Sequence, residues 1–234
     1  MWYNKTIGKG LTKPMNKARY IVIDTETANG MDEPLVYDIG FAVVDNTGFV
    51  YERHSYCVQE IFEQHPDLMA SAYYSHKLPH YYQEIAEGKR RVLPFFLIRH
   101  IFRDCCKRHN VQAIMAHNMR FDNNALRNTA FYLSEGYTRY FFPFGIPIWC
   151  TLAMAKSVMG NRPVYYEWCK SNGYLNKWGK PRFTAEILTR FIRFEMGFVE
   201  QHQGIDDVMC EKDIFAYLVR QHKKMRRTYW RDAA

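Results

Sequence analysis

Residues 21–29 read Ile-Val-Ile-Asp-Thr-Glu-Thr-Ala-Asn, and the spacing of their two carboxylates decides how the rest of the chain is read. Tyr20 to Ile23 form an apolar run rich in β-branched residues, the composition of a strand buried on both faces. The run stops at Asp24, and Glu26 follows two residues later. Alternate side chains of a strand share a side, so Asp24 and Glu26 point the same way. Two carboxylates that close repel each other unless something positive lies between them. A hard divalent cation with oxygen ligands, Mg²⁺ or Mn²⁺, meets that need. Asp-x-Glu after an apolar run is also a common surface turn, so the metal reading depends on partner carboxylates elsewhere.

The chain has 234 residues, 47% hydrophobic and 16% aromatic, enough for a sizeable core and incompatible with a disordered class. One α/β domain over residues 18–234, preceded by a basic arm over 1–17, is the simplest division. No run of eighteen apolar residues occurs, and the first residues lack the apolar centre of a secretory signal. A cytoplasmic protein with no membrane partner is therefore expected. None of the six cysteines forms a Cys-x-x-Cys pair. Cys105, Cys106 and His109 hint at zinc, but no second ligand pair has matching spacing, so packing is the expected role. The formal net charge of +8 suits a polyanionic partner such as nucleic acid.

Strands are expected over residues 20–24, 38–45, 49–58, 111–116 and 146–150, with a turn at Asp45-Asn46-Thr47-Gly48. The apolar spacing from Val92 to His109 predicts an amphipathic helix. Further helices are expected over 121–134, 151–159, 165–170 and 184–195, the last with Thr184 as N-cap. A final helix is expected from about residue 205 to 226. The order gives a mixed five-stranded sheet flanked by helices. Residues 61–91 read as partly helical, either a lid or ordinary surface helices.

Three points on this scaffold carry carboxylates: Asp24 and Glu26 on the first strand, Asp122 at the start of the helix after strand four, and Asp207 at the start of the last helix. Four carboxylates on neighbouring element ends can hold two divalent ions. The bland readings are a helix cap for Asp122, a surface histidine for His202, and Asp206 as the ligand in place of Asp207.

The motifs Asp-Thr-Glu-Thr at 24–27, Ala-His-Asn-x-x-Phe-Asp at 116–122 and His-x-x-x-x-Asp at 202–207 together resemble the DEDD exonuclease superfamily, in its histidine-bearing DEDDh branch. The branch includes the proofreading subunit of bacterial DNA polymerase III and ribonuclease T. The resemblance implies a ribonuclease H-like fold, two Mg²⁺ or Mn²⁺ ions, and 3′-to-5′ removal of nucleotides from single-stranded DNA or RNA. It implies that Asp24 bridges both ions, Glu26 binds one, Asp122 acts through a water and Asp207 binds the ion on the nucleophile side. His202 would activate the attacking water, and the four residues between His and Asp select Asp207 over Asp206. Backbone at Thr25, Thr27, Ala28 and Asn29 would meet the terminal nucleotide, with Asn118 orienting Asp122 or touching substrate. Segments 72–91 and 161–183 depart from the short bacterial proofreading subunits and resemble insertions of phage-type members. Their aromatic and basic side chains suit stacking on exposed bases, or else core packing. A DNA polymerase is a candidate partner. The alternative reading is a catalytically silent nucleic-acid-binding or polymerase-docking module of the same fold. An oligoribonuclease-like or tRNA-trimming role is a variant within the enzyme reading.

Overall fold

The computed structural model describes residues 17–228, so all but the last residue of the basic arm lies outside the described residues. In chain order the elements are β1 (Arg19–Ala28), β2 (Leu35–Asp45), β3 (Val50–Val58), α1 (Gln59–Phe62), α2 (Pro66–Ser71), a 3₁₀ turn (Ser75–Lys77), α3 (Leu78–Ala86), β4 (Arg91–Leu93) and α4 (Phe95–Arg108). They continue with β5 (Ala113–Ala116), α5 (Met119–Leu133), β6 (Ile148–Cys150), α6 (Thr151–Met159), α7 (Pro163–Ser171), α8 (Ala185–Arg193) and α9 (Gly204–Arg220). Among the described residues one sheet forms, in the order β4-β3-β2-β1-β5-β6. β1, β2 and β3 are an antiparallel meander, while β5 and β6 extend it in parallel from β1.

The sheet therefore has six strands where five were expected. The extra strand, β4, pairs in parallel with Tyr56–Val58. It occupies the start of the segment read as one helix from Val92. Pro94 decides the outcome, because a residue before proline is pushed to extended backbone and proline supplies no N–H inside a helix. The helix accordingly begins at Phe95, with Pro94 as its N-cap residue. The last helix also stops earlier than expected, at Arg220. Beyond it the Cys150 amide donates to the Arg227 carbonyl at 2.6 Å, and the Arg226 amide to Ser157 Oγ at 3.1 Å. The tail thus runs beside the edge strand β6, whose backbone groups would otherwise lack partners.

β1 is longer than the apolar run, so Asp24 and Glu26 lie inside the strand and not at its end. The alternation predicted from the sequence is seen in the packing. Ile21 and Ile23 join the core under α4 and α5, whereas Val22 joins the core under α6, α8 and α9. Asp24 and Glu26 continue the Val22 face, beneath α9. A register shift between Glu26 and Thr27 marks a bulge immediately beyond the two carboxylates, a common device for re-aiming a strand beside a site.

Two glycines set how closely α9 approaches the sheet. A Cβ on Gly40 in β2 would lie 2.1 Å from the Gly204 carbonyl carbon and 2.2 Å from the Ile205 nitrogen. One on Gly204 would lie 2.6 Å from the Gly40 nitrogen. Backbone packs on backbone here, and the contact sets the height of Asp207 over Asp24. Gly40→Ala is expected to cost at least the ~1–3 kcal/mol typical of overpacking, since neither neighbour is a side chain that can turn away. A denaturant midpoint unchanged from wild type would show that the crossing has slack.

Candidate active site

Asp24 and Glu26 come from β1, Asp122 from the first turn of α5, Asp207 from the first turn of α9 and His202 from the segment that leads into it. Ligand atoms of Glu26, His202 and Asp207 lie within 4.8 Å of one another. Asp24 is partly exposed, while Glu26, Asp122 and Asp207 are buried. Asp122 is not a helix cap: its Oδ1 accepts a 2.9 Å hydrogen bond from Thr25 Oγ1. Asp207 Oδ1 is buried with no hydrogen-bond partner. Asp206 is displaced toward Arg90, Glu84 and Asp38, so Asp207 is the member of the pair that faces the cluster.

Burial and mutual repulsion hold these carboxyls on their protons. Burial first, then Asp122 and Glu211, keep Asp24 well above the usual carboxylate range. Burial and then Asp207 push Glu26 up to about 9. Burial and then Glu200 push Asp207 up to about 8. Burial lifts Asp122 to about 7 against the opposing Thr25 bond. A buried acidic group with an unpartnered oxygen is costly as it stands, and a hard divalent cation is the ligand its donor set fits. Asp24, Glu26, Asp122 and Asp207 would hold such ions.

His202 has a left-handed backbone, φ 50°, which turns the chain into α9. Its backbone amide lies near enough to the Asp207 carboxylate to oppose the rise in that group's pKa, and its ring stacks on Tyr74 at 4.4 Å between centroids. Burial and then Lys77 lower its pKa, which favours the neutral imidazole. Lys77 donates to the Gln201 carbonyl and lies over the Tyr74 ring at 5.0 Å. The segment before α3 thus forms a wall of the site, beyond what the sequence settled.

The site's architecture also depends on Asp38, a residue not anticipated. Asp38 is fully buried on β2 and accepts hydrogen bonds from Tyr81 Oη at 2.8 Å, from the Gly204 amide at 3.0 Å and from Arg90. It ties the N-terminus of α9 to the 78–90 segment, with Arg90 buried between Asp38 and Glu84. Glu211 is the second unforeseen member. It is buried on α9, one turn beyond Asp207, and its Oε2 accepts the His117 amide at 3.0 Å. Asp38 stands alone in an apolar run and Glu211 stands among other charged residues of α9, so neither has a local signature.

The remaining residues marked in the sequence have mixed placements. Thr25 commits its side chain to Asp122. Ala28 is buried, and Thr27 is partly exposed beside it. Asn29, at φ 67°, donates from Nδ2 to the Glu33 carbonyl at 3.0 Å and shapes the loop after β1. Asn118, also left-handed at φ 69°, lines a cavity of about 510 Å³ together with Asp24, His117, Arg182, Glu200 and Glu211. A neighbouring cleft of about 390 Å³ shares Asn118 and Lys156 with it and adds Arg120 and Arg226.

Within 161–183 most aromatics are structural: Tyr165, Trp168 and Tyr174 pack with Phe183 and Phe191. Tyr166 and Trp178 are exposed, the latter at 72% and beside Lys177. Cys105 and Cys106 are core residues, as expected. Cys105 and His109 do approach Glu52, but Arg108 already neutralises that carboxylate at 2.8 and 3.1 Å, which disfavours a further cation.

No protein-family model matches this sequence, and no curated protein matches it significantly. Solved structures do match in fold. E. coli exonuclease I, solved with a dA16 oligonucleotide, aligns with a TM-score of 0.55 and 17% identity over 88% of this chain and 41% of its own. The nuclease domain of 3′hExo, described as a DEDDh family member and solved with rAMP, gives 0.50 and 10% over 91% and 96%. A full-length 3′-exonuclease gives 0.52 and 12% over 90% and 85%. The fold is that of the DEDDh-type exonucleases: an α/β, ribonuclease H-like mixed sheet flanked by helices. The chain spans less than half the length of the exonuclease I chains it resembles. Among the described residues no helix is long and apolar enough to cross a membrane.

Proposed function

We propose that this chain is a metal-dependent 3′-to-5′ exonuclease acting on single-stranded DNA or RNA ends. The observation that carries this reading is the convergence of Glu26, His202 and Asp207 within 4.8 Å, with Asp24 and Asp122 adjoining. Asp24, Glu26, Asp122 and Asp207 would hold divalent ions, which would supply a water of lowered pKa and charge stabilisation for the leaving 3′-oxygen. The protein's own part is positional and acid–base. Thr25 fixes Asp122. Asp38 and the Gly40–Gly204 contact fix the start of α9 and hence Asp207. His202, neutral near pH 7, is placed to take the proton of the attacking water. The cleft lined by Asn118, Lys156, Arg120 and Arg226 suits the phosphates that follow the terminal nucleotide. The exposed Trp178, with Lys177 beside it, suits stacking on an unpaired base. A silent binding module has no use for this many buried acids, each of which is costly to desolvate.

Digestion of matched 5′-labelled DNA and RNA oligomers tests the reading. Stepwise shortening from the 3′ end is expected with Mg²⁺ or Mn²⁺ and none with EDTA, and a 3′-phosphate is expected to slow it. Cutting of a closed single-stranded circle would show that the enzyme is not an exonuclease.

A further inference from the structure

The carboxylates of the site divide into two groups about Asp24. Glu26 and Asp207 form one, with His202. Asp122 and Glu211 form the other, and the repulsion Asp24 receives from these two exceeds that from Asp207 and Glu26. The first group gives an ion two carboxylates besides Asp24. On the four-carboxylate assignment the second side has only Asp122, which the Thr25 bond already restrains.

Glu211 completes that side. It follows Asp207 by four residues on α9, so the two lie on one helix face, about 6 Å apart along the axis. It is 2% exposed and lines the same cavity as Asp24. Its Oε2 is held by the amide of His117, immediately before the Asn118–Asp122 stretch. That bond fixes the direction of the carboxylate and leaves Oε1 available. No cationic side chain is paired with it among the described residues. The unpartnered Oδ1 of Asp207, one turn away, independently marks the α9 face as built for a cation.

We propose that Glu211 is a fifth carboxylate of the metal centre, holding the ion on the Asp122 side of Asp24. The proposal rests on the metal-dependent reading above. The centre would then draw two ligands from one face of α9, one for each ion.

The test is Mn²⁺ binding to the full chain, followed by calorimetry and electron paramagnetic resonance, without substrate. Wild type is expected to bind two ions. Glu211→Gln keeps an oxygen to accept the His117 amide but loses the charge. It is expected to bind one ion normally and the other at least about 10-fold more weakly, the lower end of what loss of even an outer partner costs. Asp207→Asn is expected to weaken the opposite ion. If Glu211→Gln binds both ions as wild type does, or leaves a single wild-type ion unchanged, Glu211 is only a hydrogen-bond acceptor and the proposal falls. If wild type binds no Mn²⁺, the nuclease reading itself fails. Should Glu211→Gln melt well below wild type, Glu211→Asp, which keeps the charge but withdraws it by one methylene, is read by the same criteria.

Discussion

Asp24→Asn is expected to remove nearly all hydrolysis and Mn²⁺ binding while raising the melting temperature of the metal-free protein at pH 8. Both effects follow from the position of Asp24 between the two carboxylate groups. Without it the two ions of the proposed centre would lose the ligand they would share. The substitution also removes a carboxyl that folding at pH 8 must either protonate or bury charged, first against burial and then against Asp122, Glu211, Asp207 and Glu26. The same logic fixes the pH dependence of the metal-free wild type. Carboxyls raised in the folded state bind protons more tightly there than in the unfolded chain. Their contribution is complete below the unfolded value near 4 and is lost as pH rises through the folded values. Those values are about 7 for Asp122, 8 for Asp207 and 9 for Glu26. The metal-free melting temperature should therefore fall between pH 6 and 9, and saturating Mg²⁺ should offset the fall. A metal-free protein that gains stability over this range, or an Asp24→Asn variant that melts lower, would show that the carboxylates are not in mutual repulsion.

How much of this was legible in the sequence depends on whether a residue's role is local. Asp24 and Glu26 were readable because a strand has a period of two. Asp122, His202 and Asp207 were nominated because three motifs, at 24–27, 116–122 and 202–207, together resemble the DEDDh pattern. Asp38 and Glu211 were not, since each acquires its role only when β2, α9 and the 117–122 turn meet. Arg90 shows the same limit: in sequence it is one of three consecutive basic residues, Lys89-Arg90-Arg91, and nothing local marks the middle one as buried. In the fold it is buried against Asp38. Gly40 and Gly204 read as ordinary glycines until the backbones cross. The Pro94 boundary, by contrast, was present in the sequence and was overridden by an apolar period that continued across it.

His202→Ala is expected to lower turnover by ~10²–10⁴-fold, the usual worth of a general base. The ring nitrogen lies within 4.8 Å of ligand atoms of Glu26 and Asp207, and the ring is stacked on Tyr74, which holds its position. Because the carboxylates remain, Mn²⁺ affinity should change far less than turnover. The pH dependence has a definite sign. Imidazole accepts a proton only when neutral, so the rate falls as pH drops through its pKa. Burial and the nearby Lys77 ammonium lower that pKa, Glu186 opposes them weakly, and divalent cations beside the ring push it lower still. The acid limb of wild type should therefore lie below the ordinary histidine value of about 6.5. His202→Ala should lose that limb. Lys77→Ala should move it upward while leaving the enzyme active. A His202→Ala variant with wild-type turnover at neutral pH would make the ring structural, a partner for Tyr74 and nothing more. A variant that fails only because it no longer binds Mn²⁺ would make His202 a ligand, and the base would then have to be sought among the carboxylates, Glu200 first, since burial raises it to about 7.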